Sequence, residues 1–175
     1  MYSDEKLFIS QIFRIILTII VLFFFKIPLY AKILIIILLD SLDCGIPKRL
    51  NISWVSCKKE LYQKTDKITD TICFFILLLY ILKIRPFSTN YITLICVLFI
   101  YRLIGVILFL LKNNRKFLFY FPNIFETITL VLALFKHFSF LKKYMLKYLI
   151  TLVVILKITL EYFHHYSPIF KSDEF

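Results

Sequence analysis

LFISQIFRIILTIIVLFFF, residues 7–25, is a run of 19 residues with a single charge, Arg14. As an α-helix it is about 28 Å long, close to the thickness of a bilayer's hydrocarbon core. No small-residue cleavage site closes it, so it reads as a retained anchor and not as a removed signal peptide. Five further apolar segments follow. Residues 29–43 open at Pro28, which suits a first helical turn. Residues 66–84 stop before Arg85-Pro86. The others are residues 91–111, a segment that begins at Phe117 or Pro122 and ends at Phe135, and residues 144–162. The expected fold is therefore all-α, a polytopic membrane protein built as one domain over residues 1–175, with six transmembrane helices in a bundle.

Composition supports that reading. Of 175 residues, 61% are hydrophobic, against about 45–50% in soluble domains. There are 20 Phe and only 2 Gly, and the mean hydropathy is +0.84. A soluble domain of this size has no place to hide so much apolar surface, and disorder and disulfide scaffolds are excluded with it. Lys and Arg total 22 against 11 Asp and Glu, a net charge of +11. In a membrane protein such an excess meets anionic lipid headgroups. No basic block is free of apolar neighbours, so lipid and not nucleic acid is the expected partner. Six spans put both termini on one side, together with the long loop that follows residue 43. That side carries 11 Lys or Arg against 8 on the other, which places it in the cytosol. The four cysteines form no C-x-x-C pair and read as reduced thiols, with Cys73 and Cys96 packed as small hydrophobes.

The scarce acids are not scattered. Asp40 and Asp43 close the second segment, and Asp66 and Asp70 open the third. Spacings of three and four put each pair on one helical face. Only 22 residues separate Asp43 from Asp66, so both pairs return to one membrane face and four carboxylates converge there. Bare carboxylates in such proximity repel, and a divalent cation with a preference for oxygen relieves that. The alternative is ordinary helix-end charge, with Asp66 as an N-cap. That alternative suits Asp40 and Asp43 poorly, because the dipole disfavours negative charge at a helix C-terminus.

Asp40-Ser41-Leu42-Asp43-Cys44-Gly45-Ile46-Pro47-Lys48, followed by Tyr62-Gln63-Lys64-Thr65-Asp66-Lys67-Ile68-Thr69-Asp70, resembles the signature of the CDP-alcohol phosphatidyltransferases, D-x-x-D-G-x-x-A-R then G-x-x-x-D-x-x-x-D. That family is a six-helix membrane enzyme whose motif joins the end of helix 2 to the start of helix 3, here within residues 29–84. All four aspartates keep their spacing. Cys44, Pro47, Lys48 and Tyr62 stand at the family's glycine, alanine, arginine and second glycine positions, and the spacer is longer. The resemblance implies transfer of a phosphatidyl-type group from a CDP-activated lipid to an alcohol, with release of CMP. It implies Mg2+ or Mn2+ held by Asp40, Asp43, Asp66 and Asp70. Asp70 would be the base for the acceptor hydroxyl, and the site would face the cytosol. Lys48 and Arg49 would meet substrate phosphate.

Two arginines lie within apolar runs, where charges are rare and often face a cavity. Arg102 is expected to reach a lipid phosphate, and Arg14 is read as snorkelling to the interface. Lys157 and Glu161 read as a plain i,i+4 pair. Two alternatives stay open: a non-catalytic relative that keeps the helical frame, and a small cation-binding transport protein that uses the same carboxylates. The sequence does not choose between a monomer and a homodimer.

Overall fold

Every secondary-structure element among the described residues is a helix. The computed structural model describes residues 2–42, 60–138 and 143–165. Six helices of 14 or more residues, α1 (Tyr2–Phe23), α2 (Leu29–Leu42), α3 (Glu60–Ile84), α4 (Thr89–Lys112), α6 (Ile124–His137) and α7 (Lys143–His165), are joined by a five-residue helix, α5 (Lys116–Tyr120). Contacts divide the chain into two compact units, Met1–Tyr80 and Ile81–Phe175.

In the first unit α1 packs on α2. Side chains of α1 also meet α3 at three levels: Arg14 with Asp66 and Asp70, Thr18 with Cys73, and Phe23 with Tyr80. The buried positions of α1 (Gln11, Arg14, Thr18, Leu22) recur at intervals of three and four, as do Asp70, Cys73, Leu77 and Ile81 on α3. These stripes are polar at the Arg14 and Asp70 level and apolar at the Leu22 and Leu77 level. At the apolar end buried Lys32 donates to the Leu22 carbonyl at 2.6 Å and to the Tyr80 hydroxyl at 2.8 Å. It thus satisfies one of the last-turn carbonyls of α1, which have no partner within the helix.

In the second unit α4 packs on α5 and α6, and α7 packs on α5 and α6. Val106, Phe109 and Leu118 form its buried apolar centre. Gly105 permits the close approach of α4 to the chain at Phe121, since a Cβ there would lie 2.3 Å from that of Phe121. α3 and α4 each end in a non-glycine residue of positive φ, Arg85 at 44° and Asn113 at 50°. Pro86 follows the first, as proline commonly follows a left-handed helix end.

Two differences from the sequence reading have plain causes. The third helix begins at Glu60, six residues before Asp66, and Lys64 donates to Glu60 at 2.5 Å across one turn. Asp66 therefore sits inside the helix and is not its N-cap. The fifth apolar segment is split around Phe121 to Asn123, so that both expected starts, Phe117 and Pro122, mark real boundaries. Among the described residues two segments are long and apolar enough to cross a membrane, Thr89–Lys112 and Lys116–His137. α1 offers a shorter apolar stretch, Phe8–Phe23, and α3 carries Asp66, Lys67 and Asp70 in its first half.

Candidate functional site

The fold brings together three acids that the sequence separates by up to 30 residues. Asp40 lies on the face of α2 that buries Ile33 and Ile36, seven and four residues earlier. Asp66 and Asp70 lie one turn apart on α3. One carboxylate oxygen from each of the three lies within 4.8 Å of those of the other two. Asp70 is buried, while Asp40 and Asp66 are partly so. Tyr62, at a glycine position of the family pattern, is buried one turn before Asp66 on the same stripe. Asp43, Lys48 and Arg49 lie outside the described residues.

Two cations hold the acids. Arg14 Nη2 donates to Asp40 Oδ1 at 2.6 Å and to Asp70 Oδ1 at 2.5 Å, and Nη1 reaches Asp66 Oδ1 at 3.4 Å. Lys67 Nζ donates to the outer oxygens, Asp66 Oδ2 and Asp70 Oδ2, both at 2.7 Å. Both oxygens of Asp70 are thus committed to a cation. Counted as ionised, the three carboxylates and two cations carry one net negative charge.

Arg14 corrects the sequence reading. It does not snorkel: it is 4% exposed and joins α1 to α2 and α3. The physical reason is that three carboxylates at its own depth replace the water it would otherwise have to reach. A signal for this exists in the sequence. Gln11, Arg14 and Thr18 recur at i, i+3 and i+7 and form a polar stripe on the otherwise apolar stretch 11–23 of α1. Lys67 also escapes the sequence reading, although its place beside Asp66 and three residues before Asp70 puts it within reach of both.

Arg102 lies in the second unit and is buried in α4. Its Nη1 donates to the carbonyls of Leu118 at 3.3 Å and Phe121 at 2.7 Å, so it ties α4 to the break between α5 and α6. Nearby in sequence, Asn123 Nδ2 donates to buried Glu126 at 2.5 Å. Glu161 of the expected pair with Lys157 is outside the described side chains. Cys73 is buried against Thr18, and Cys96 is partly buried, both as free thiols.

The donor set fits a hard divalent cation. All three acids offer oxygen, and oxygens within 4.8 Å of one another can share an ion at metal–oxygen distances of about 2.0–2.6 Å. Compared with known proteins, the chain matches no protein family, no curated sequence and no solved structure.

Proposed function

We propose that the chain is a multi-pass membrane transferase that moves a phosphatidyl-type group from a CDP-activated lipid to an alcohol, with its acidic site toward the cytosol. One observation carries the reading. Asp40 and the Asp66/Asp70 pair, which lie on different helices, present their carboxylates to one point, as the phosphatidyltransferase motif requires. The membrane setting is supported by two apolar segments of spanning length and by the faces of α1 and α3, where Ile9, Phe13, Ile16, Phe75 and Leu79 are exposed.

In this reading Asp40 and Asp66 hold Mg2+ or Mn2+ together with Asp70, and Asp43 completes the set. When bound, the ion offsets charge on the diphosphate. The acceptor's oxygen forms a bond to the lipid-side phosphorus, the bridging P–O bond breaks, and its electron pair leaves on CMP. The hydroxyl proton passes to Asp70, which must first release one of its two cationic partners. Lys48 and Arg49 meet phosphate.

The test is release of CMP from CDP-diacylglycerol by the purified chain with Mn2+ or Mg2+ and a panel of alcohols. Activity with one alcohol is expected, lost in Asp70→Asn. An Asp70→Asn chain with full metal-dependent release removes the base assignment. A second reading, a non-catalytic relative, is favoured by the engagement of all three acids with Arg14 and Lys67. It predicts no CMP release from a folded chain with any alcohol.

A further inference from the structure

We propose that Arg14 is the resident counter-cation of the aspartate cluster, and that a divalent ion binds there only by displacing its guanidinium from Asp40 and Asp70. The inference rests on the metal-site reading above and adds a competitor to it.

The geometry is direct. Nη2 of Arg14 lies between Asp40 Oδ1 and Asp70 Oδ1, at 2.6 and 2.5 Å. An ion bound to those two oxygens at its usual metal–oxygen distance lies no more than about 5 Å from Nη2. Two cations that close, in a site where Arg14 is 4% exposed, are poorly screened. Lys67 does not compete in the same way, because it takes the Oδ2 atoms of Asp66 and Asp70. The oxygens that face each other across the α2–α3 gap are those that Arg14 holds.

The arrangement also solves a problem posed by the acids themselves. Without an ion, Asp40, Asp66 and Asp70 would push α2 and α3 apart. Arg14 holds them together from α1, so the site keeps its shape when empty. That service weakens ion binding, since the competent state is only the fraction in which Arg14 has let go. Arg14 is therefore a positioning residue, and its loss tightens ion binding.

The test is binding of Mn2+ to the full chain in detergent after chelation, read by electron paramagnetic resonance of the free ion. Arg14→Gln is expected to bind at least tenfold more tightly than the wild type, and Asp70→Asn to lose the site in either background. Equal or weaker binding by Arg14→Gln, with Asp70→Asn still abolishing it, overturns the inference and leaves the metal reading intact. No Asp70-dependent binding in either form overturns both. Should Arg14→Gln be unfolded without ion, saturating Mn2+ is expected to restore its melting transition, because the ion takes the guanidinium's place. A chain that stays unfolded at saturating Mn2+ overturns the inference.

Discussion

Replacing Arg14 with Met separates a buried ionic clamp from a snorkelling arginine by the sign of the effect. A snorkelling arginine pays side-chain entropy to reach water, so an apolar substitute is neutral or stabilising. The structure predicts a loss. Arg14 and Asp70 are almost fully buried, with side chains 5% and 9% exposed and a separation of 2.5 Å. Removing one partner of such a pair costs about 3–5 kcal/mol. Asp40 adds little, being 34% exposed, and Asp66 adds little at 3.4 Å, each within about 1 kcal/mol. Lys67 remains on Asp66 and Asp70 and softens the exposed charge, so the expected net loss is about 3 kcal/mol. For a chain of this size that lowers the melting midpoint by about 6–12 °C. The assay is a circular-dichroism melt in detergent with metal chelated. A double-mutant cycle with Asp70→Asn isolates the pair, with an expected coupling of about 1.5–3 kcal/mol. An Arg14→Met midpoint within about 2 °C of wild type, or a coupling below about 0.5 kcal/mol, refutes the clamp.

Three further outcomes follow from other contacts. Gly105→Ala puts a Cβ 2.3 Å from the Cβ of Phe121 and is expected to destabilise the second unit by about 1–3 kcal/mol in the same melt. Phe121→Ala is not expected to rescue it, because alanine keeps the clashing carbon. Lys32→Met removes charged hydrogen bonds to the Leu22 carbonyl and the Tyr80 hydroxyl, with an expected loss of about 1.5–3 kcal/mol, and Tyr80→Phe a smaller one. Cys73, fully buried against Thr18, is expected to resist maleimide in the folded chain and to react on unfolding, as mass spectrometry would show.

The helices were legible because their signals are local. Pro28 opens α2, Pro86 follows the end of α3, and apolar runs mark α4 and most of α6. The meeting of Asp40 with Asp66 and Asp70 was legible for a related reason: they lie near the end of one helix and the start of the next, and each acid keeps helical spacing. Arg14 was not legible as a partner, since it stands 26, 52 and 56 residues from its acids. Its place depends on the register of α1 against α3, which packing decides through Thr18 on Cys73 and the edge-on contact of Phe23 with Tyr80. The start of α3 was missed because Glu60, Gln63 and Lys64 look like loop by polarity, yet they are good helix formers that extend the helix beyond its apolar stretch.

The same residues set the stability and the chemistry of this site in opposition. A chain with few acids has gathered three of them at one level and matched them with two cations, one from α1 and one from within the motif. Hydrophobic side chains in those five places would pack with no desolvation penalty, so stability alone gives no reason for the cluster. What apolar packing cannot supply is a set of convergent oxygens with one negative charge left over. That residual charge is the feature a divalent ion can exploit, and Arg14 is the group that must yield to it. The balance between them predicts that ion affinity and ion-free stability move in opposite directions at position 14. Neutral substitutions there should therefore melt earlier without Mn2+ and gain more from it than the wild type does. A set of Arg14 variants in which both quantities fell together would show that the arginine shapes the ion site and does not compete for it.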